Sequence, residues 1–373
     1  MFGQIPFDII LLFMLYAAGA TTAVIACLYL LFRKGNAFAP DVVTPLRLRR
    51  WTAAFFGILA LGHFWYLPAV VFTSKEDINL ILLIGALLDC VTTIPLAIII
   101  QICMLQDRRR PLWPVWVAVA PLAIILLVSN LNHSYTLVPE LYGYLLLLGI
   151  GLIVYMVRAV RQYGRWLRDN YADLEHKEIW QSLLVLGVIL LVFSFYASGV
   201  GGQAYEYIVQ VCGIVLICFL LWRVETLSDL SISQSLPESD EVKAAETATT
   251  EEKTSTAADS DDIGTLLQHF CVSTRLYLQH DLTVTQLAQA IGTNRFYLGQ
   301  YFSRQDTTYN AYINTLRINH FVKLYHEAVT AQRSFTAQQL ANDSGYRSYS
   351  TFSLAFKQRM GQSVTSWMRQ QEV

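Results

Sequence analysis

The chain has 373 residues and a mean hydropathy of +0.40, with 54% hydrophobic and 15% charged residues, a composition that excludes an ordinary soluble globular protein. The formal net charge of −1 is the sum over three different regions: residues 1–224 have a net charge of +3, residues 225–262 of −9 and residues 263–373 of +5. A basic C-terminal region behind an acidic strip favours a nucleic-acid partner.

Seven apolar runs come before the acidic strip. A helix of about 20 residues crosses the ~30 Å hydrocarbon core of a membrane, and each run approaches or exceeds that length. We predict transmembrane helices at 7–32, 51–72, 78–105, 112–128, 138–160, 179–198 and 204–222. No basic residue precedes the first run and Asp8 lies at its start, so we expect a retained helix rather than a signal peptide.

The basic residues of this region alternate between loops. The loops after the first, third and fifth runs, together with Arg158 at the end of the fifth run, hold 13 Lys and Arg residues, whereas the three loops of opposite parity hold only Lys75. Cytoplasmic loops carry the excess of Lys and Arg in membrane proteins. The pattern therefore predicts an N-terminus outside the membrane and a C-terminus in the cytoplasm, and an odd number of spans agrees with it.

The outward half of the predicted bundle is polar and aromatic, and Asp89 is the only carboxylate near the middle of a span. An ionisable side chain at that depth costs several kcal/mol unless it is paired or hydrated, so Asp89 is a functional candidate. A hydrogen bond to Thr or His that only fixes helix packing is the alternative, and both interpretations stay open. The predicted ligand-sensing residues are His63, Asp89, His133, Glu140 and Glu206.

The fifth run continues into a basic segment with helical apolar spacing at Met156, Val160, Tyr163 and Leu167. We expect the fifth transmembrane helix to extend into the cytoplasm here. Its basic residues either anchor the helix at anionic lipid or belong to a segment that transmits a helix movement inward.

Residues 225–262 are predicted to be a flexible linker. From Ser228 to Asp262 the chain is rich in Ser, Thr, Ala, Glu and Asp and has no aromatic residue. Such a segment buries too little apolar surface to offset the entropy of ordering it. Its negative charge leaves two roles open, a plain tether or an autoinhibitory segment that binds the basic region behind it.

Residues 263–373 are predicted to form an all-helical domain with two similar units. In the first, Thr283 is an N-cap, Gly292 ends the helix, and a second helix covers 294–303. In the second unit Thr336 and Gly345 have the same roles before a helix at 349–357. Each unit has the order of a helix-turn-helix, and a long helix at 309–329 joins them. Two such units on one rigid helix can place their recognition helices in successive major-groove faces, about 34 Å apart.

The stretch 281–370 resembles the DNA-binding domain of the AraC/XylS family of transcription regulators. The marks of the resemblance occur in the family's order: Leu287-Ala288, Gly292, Leu298, Phe302, Ile313-Asn314, Arg317-Ile318, Ala341, Gly345-Tyr346, Phe352, Phe356-Lys357, Gly361 and Ser363. With the spans in front, the arrangement is similar to that of membrane-bound members, which implies a regulator of double-stranded DNA in a bacterial cytoplasmic membrane.

The resemblance implies that outward positions of the two recognition helices contact DNA. In the first helix these positions are Asn294, Arg295, Phe296, Gly299 and Gln300. In the second they are Tyr349, Ser350, Ser353 and Leu354. Phosphate contacts, which fix register without reading sequence, are expected from Arg304, Arg347, Lys357 and Arg359. For each single residue the alternative is a solvated helix surface.

This sequence departs from the family at several of these positions. The family often has Arg or Lys where Gln300 and Leu354 stand, and Gly299 has no side chain to read a base. Gln300 can read adenine through a bidentate contact, but Leu354 gives the second helix-turn-helix no Arg or Lys side chain for strong guanine readout. Specificity then rests on the first unit, on DNA shape or on assembly as a homodimer.

The expected fold is all-α: a polytopic bundle of seven transmembrane helices (1–224), a linker and a soluble double helix-turn-helix domain. The six cysteines show no disulfide framework or metal spacing, and no enzyme motif occurs, so we expect no metal, no cofactor and no catalysis. A small-molecule or other extracytoplasmic signal is expected to act on the bundle. The alternative is a membrane receptor or transporter whose C-terminal domain binds a protein partner.

Overall fold

The computed structural model describes residues 7–65, 74–133, 136–181, 187, 202–230 and 263–371. Regular structure within these residues is helical, and one antiparallel bridge joins Tyr171 to Thr283. The all-α fold class is therefore confirmed. The chain divides into two compact units, of which the first comprises Met1–Tyr163 with Ile179–Ser231 and the second Gly164–Glu178 with Ile232–Val373.

The N-terminal helices are α1 (Phe7–Phe32), α2 (Leu46–Trp65), α3 (Lys75–Val91), α4 (Thr93–Met104), α5 (Trp113–Leu131), α6 (Val138–Asn170) and α7 (Gly202–Thr226). By length and composition, five stretches of the described chain can cross a membrane: Ile10–Phe32, Lys75–Met104, Trp113–Leu131, Pro139–Asn170 and Tyr207–Thr226. They correspond to the first, third, fourth, fifth and seventh predicted spans.

The other two predicted spans have different outcomes. The second corresponds to α2, which begins at Leu46, so that three arginines lie in its first two turns, and it is not among the five. The sixth, at 179–198, lies almost wholly outside the described residues, as do residues 231–262 of the predicted linker. Helix α6 extends to Asn170, as its apolar spacing predicts.

The third predicted span, at 78–105, is interrupted at Thr92, where α3 ends and α4 begins. Pro95 follows in the first turn of α4, and a proline lacks the N–H that would continue the hydrogen bonds of the preceding helix. The Thr92 hydroxyl and the Thr92 amide both donate to the Leu88 carbonyl, at 2.6 Å and 3.0 Å. The interruption therefore follows directly from the Thr-Thr-Ile-Pro sequence, although the apolar pattern alone does not mark it.

Small residues allow the helices of the N-terminal compact unit to approach closely. Helix α1 packs against α2 and α7, and Ala23 and Ala26 of α1 are buried, as are Ala53 and Ala60 of α2. Small side chains at helix contacts are typical of membrane bundles, where packing rather than exclusion of water drives association. A second cluster of buried residues joins α3, α4, α5 and α6.

A buried polar network fixes the chain as it leaves α7. The carboxylate of Glu225 is fully buried and lies 3.0 Å from Arg33 Nε, and Asn36 donates to the Glu225 carbonyl at 2.7 Å. Farther along, the Gln106 side chain donates to the Ser228 carbonyl and accepts from the Leu230 amide, both at 2.9 Å. The start of the predicted linker is thus held by two inter-helix loops.

The second unit contains the C-terminal helices. After a π-helical turn at Leu267–Ser273 and a 3-10 turn at Leu276–Leu278, these are α8 (Val284–Ala290), α9 (Arg295–Arg304), α10 (Tyr309–Thr330), α11 (Ala337–Asp343), α12 (Tyr349–Met360) and α13 (Val364–Gln371). One buried core lies under α8, α9 and the start of α10, and a second under the rest of α10 with α11, α12 and α13. The predicted order of two similar units around one long helix is confirmed.

The buried Arg317 side chain on α10 holds the two cores together. It is 1% exposed, and its guanidinium donates to the carbonyls of Tyr277 at 2.7 Å and Gln279 at 2.8 Å. Its Cζ also lies 5.4 Å from the centre of the Tyr346 ring, which belongs to the second core. Burial lowers the pKa of Arg317, while Tyr346 and the buried carboxylate of Asp173 act in the opposite direction.

Replacing Gly345 by alanine should destabilise the C-terminal compact unit more than replacing Gly292 by alanine. Both residues have a positive φ, +88° and +74°, in which a Cβ costs about 1–2 kcal/mol. A Cβ at Gly345 would additionally lie 2.8 Å from the Cα and carbonyl oxygen of Leu278, whereas a Cβ at Gly292 meets nothing within 4 Å. We expect Gly345→Ala to lower the free energy of unfolding by at least about 1 kcal/mol more than Gly292→Ala.

Native-state hydrogen exchange of the slowest amides in α10 measures this difference in the intact chain. Equal losses in the two variants would show that the close approach of Gly345 to Leu278 does not exist in the protein.

Candidate nucleic-acid interface

Helix α9 is the second helix of the first helix-turn-helix unit, and its two faces differ sharply. The Asn294 side chain caps it by accepting from the Tyr297 amide at 3.0 Å. Leu298 and Phe302 are buried in the first core. The predicted DNA-contacting residues of this helix are all exposed: Asn294, Arg295, Phe296, Gly299 and Gln300. Because the oxygen of Asn294 is occupied as a cap, its amide nitrogen is the group that remains for a phosphate or base.

The helix before α9 is fixed by local hydrogen bonds. Thr283 and Gln286 form a capping box, in which each side chain bonds the other residue's backbone amide. Gly292 then turns the chain in the left-handed conformation, which glycine adopts without steric cost. The same construction recurs in the second unit, where Thr336 and Gln339 form the capping box and Gly345 the turn.

Helix α12 is the corresponding helix of the second unit. Ser348 caps it, and Phe352 and Phe356 are buried in the second core. The predicted contact residues divide into two groups. Ser350 and Leu354 are exposed, whereas Tyr349 and Ser353 are half-buried, and Tyr349 packs against the second core. Leu354 presents an apolar side chain that is 59% exposed in the middle of this face.

The basic residues predicted to contact phosphates are all exposed: Arg304, Arg347, Lys357 and Arg359. Arg347 also forms an ion pair, because its guanidinium lies 3.2 Å from Asp281 Oδ2. Lys177 Nζ lies 3.1 Å from the other oxygen of the same carboxylate. Burial acts to raise the pKa of Asp281, but the charges of Lys177 and Arg347 outweigh it and hold that pKa below its usual value.

Sequence reasoning did not predict that Glu175, Lys177 and Asp281 lie beside this interface. The Thr351 hydroxyl on α12 donates to Glu175 Oε2 at 3.1 Å, and these two residues are 176 positions apart. Lys177 and Asp281 are 104 positions apart. Contacts over such distances leave no spacing pattern in a single sequence, so no local signal could have revealed them.

The predicted sensing residues, all in the N-terminal compact unit, lie in separate groups of helices. His63 on α2 has its ring 4.8 Å from that of Tyr16 on α1, and Gly19 allows His63 and Gln210 of α7 to approach the same point. Asp89 accepts a hydrogen bond from Thr93 at 3.0 Å, across the interruption between α3 and α4. Of the predicted sensing residues, His63 and Asp89 are the two with a described side-chain contact inside the bundle, His63 with Tyr16 and Asp89 with Thr93.

The other sensing candidates lie toward the helix ends. His133 is exposed at the end of α5 with a positive φ of 47°, and Glu140 is exposed in the first turn of α6. The backbone of Glu206 belongs to α7, and its side chain lies outside what the structure describes.

Comparison with known proteins identifies one region of the chain. Residues 287–370 match the family model described as a helix-turn-helix domain, which covers α9 to α12 and most of α8 and α13. This is under a quarter of the 373 residues. Searches of curated proteins and of solved structures find no significant match to the chain.

If the exposed basic side chains contact phosphates, Lys357→Ala should weaken binding to every duplex sequence by a similar factor. Each phosphate contact releases a counterion on binding. The negative slope of log K against log salt should therefore become shallower by about 0.9 in this variant than in the unmodified chain. Lys323→Ala is the matched control, because Lys323 is 64% exposed on α10 and pairs with Glu327 outside the recognition helices. Fluorescence anisotropy with the intact protein at several salt concentrations gives both slopes, and equal slopes for the two variants would contradict the assignment.

Proposed function

Residues 287–370 form a DNA-binding domain of the AraC/XylS type, and from this premise we propose that the chain is a membrane-embedded transcription regulator. The observation that carries the proposal is the presence, in one chain, of five long apolar helical stretches ahead of this domain. The domains are a transmembrane region at 1–224, a linker at 225–262 and the double helix-turn-helix domain at 263–373. The protein acts by binding promoter DNA and not as an enzyme.

The DNA-binding surface consists of the exposed faces of α9 and α12. The cores behind these faces and the buried Arg317 between them favour a fixed relation of the two helices. Arg295 and Gln300 on α9 are the residues with the strongest potential for base contacts, while Arg304, Arg347, Lys357 and Arg359 bind phosphates. Leu354 and Gly299 supply no hydrogen bond, so the first unit carries most of the base readout.

The orientation follows from the loop charges, with the N-terminus outside the cell and the C-terminal domain in the cytoplasm of a bacterium. The interruption at Thr92 supports a sensing role for Asp89, because irregular helix breaks inside membranes are tolerated where they line protein or water rather than lipid. His63, His133, Glu140 and Glu206 are further candidates for contact with the signal.

A second candidate function is a membrane receptor or transporter whose C-terminal domain binds a protein. Two large apolar side chains on the recognition faces favour it, Phe296 at 72% and Leu354 at 59% exposure. Protein interfaces are enriched in exposed aromatic residues, whereas binding to duplex DNA depends on phosphate contacts and weakens steeply with salt. Salt dependence therefore separates the two functions.

The first test uses the purified full-length chain in lipid nanodiscs. Genomic fragments are incubated with it at two salt concentrations, and the retained DNA is sequenced. We expect enrichment of a motif that spans about two major-groove turns and loses affinity steeply as salt rises. Retention without a motif, or no retention, would contradict the proposed function and favour the protein-binding alternative.

Asp89→Asn should alter regulation without altering DNA affinity. It removes an ionisable carboxyl from the N-terminal bundle and leaves the C-terminal DNA-binding domain unchanged. With a reporter placed behind a promoter recovered above, we expect expression to change by about fivefold or more while Kd for that promoter stays within about twofold. Asp77→Asn, which makes the same change at the exposed start of α3, is the control. Unchanged expression in the Asp89 variant would remove Asp89 from the sensing site.

A further inference from the structure

The segment Gly164–Glu178 belongs to the same compact unit as the C-terminal domain, although more than 80 residues of sequence separate them. It comprises the last turns of α6 and the eight residues that follow, and we call it the strap. This is the basic segment for which anchoring at lipid and transmission of a helix movement were both open from sequence. Its contacts within the unit decide between these roles.

The strap joins the first helix-turn-helix unit through its backbone. Tyr171 forms the antiparallel bridge with Thr283, the N-cap of α8, and the Ala172 amide donates to the Leu282 carbonyl at 3.2 Å. Asn310, at the start of α10, donates from its side chain to the Ala172 carbonyl at 2.7 Å and to the Tyr171 carbonyl at 3.2 Å. Ala172 is itself buried in the first core. These contacts are those of an integral part of the domain and not of a lipid anchor.

The strap also contacts the second helix-turn-helix and lies near the buried Arg317, which joins the two helix-turn-helix cores. Glu175 accepts from Thr351, which lies in the first turn of α12. The Asp173 carboxylate is 4% exposed and supplies negative charge to the buried Arg317. One short segment therefore contacts both helix-turn-helix units and carries a buried negative charge that favours the charged form of Arg317.

One carboxylate of the strap lies beside a recognition helix. Glu175 lies at the N-terminal turn of α12, where unpaired backbone N–H groups attract anions. The proposed function assigns the exposed face of α12 to DNA, so the strap places a negative charge beside a surface that the negatively charged DNA has to approach.

We propose that the strap is an intramolecular competitor of DNA: docked against both helix-turn-helix units and bonded to α12, it opposes DNA binding, and its displacement frees the domain to bind. This inference rests on the proposed function. The strap begins in the last turns of α6, so a signal that moves α6 can act on the docking of the residues that follow. A signal that favours the undocked state shifts the population toward DNA binding by its differential affinity for the two states.

The test measures Kd of the full-length chain in lipid nanodiscs for a promoter recovered by genomic retention. Glu175→Gln removes the competing charge at α12 and keeps the side chain's shape, and Asn310→Ala removes the donor that holds the strap backbone. We expect each variant to bind DNA about fivefold or more tightly than the unmodified chain. Hydrogen exchange at the Ala172 amide should also become faster in the Asn310 variant, because its bond to Leu282 is lost on undocking.

Two matched controls separate docking from general effects. Glu178→Gln removes the same charge three residues along, at an exposed position, and screening by salt should limit its effect to less than about twofold. Thr315→Ala removes a side-chain donor farther along α10, where it bonds the Ala311 carbonyl and not the strap. If the Glu175 and Glu178 variants bind DNA equally, or if the Asn310 variant leaves Kd unchanged, the inference is wrong while the proposed function stands. If no variant and no unmodified chain binds a specific duplex, the proposed function fails and the inference with it.

Discussion

The C-terminal unit depends on one buried cation. A guanidinium taken out of water costs several kcal/mol unless its hydrogen bonds and charge are compensated, and Arg317 obtains that compensation from three different places. Two backbone carbonyls before the first helix-turn-helix accept from it, a ring of the second core lies against it, and the negative charge of Asp173 favours its charged form. Separating these parts would leave the charge buried without partners, so they keep one arrangement.

The parts of the fold that depend on neighbouring residues could be predicted from the sequence. Thr283 and Gly292, and again Thr336 and Gly345, mark the helix starts and turns, since capping and positive φ are properties of single residues in a local context. The long helix between them appears within one residue of its predicted ends, at Tyr309–Thr330. The family model then matches the same region. The exposed faces of α9 and α12 follow from this periodicity, although Tyr349 packs inward.

The parts that depend on distant residues could not be predicted. Residues near 175 contact residues near 283, 310 and 351 through backbone carbonyls and single side chains, and neither partner has a pattern that refers to the other. Hydropathy likewise predicted one span at 78–105, because a proline in an apolar run changes the backbone geometry but hardly the average hydropathy. In α2 the opposite happens: three arginines at the start of the helix lower its average hydropathy but do not interrupt it. The helix still packs against its neighbours in the bundle.

The polar network at the end of α7 has a consequence for where DNA is searched. Leu230 is held by Gln106, and 32 positions of sequence separate Leu230 from Ile263. Even at full extension that length spans at most about 110 Å. If the chain is embedded in a membrane as we propose, its recognition helices therefore stay within that distance of the end of α7. A promoter is then bound only where the chromosome approaches the membrane, and the position of a gene relative to the cell boundary affects its regulation.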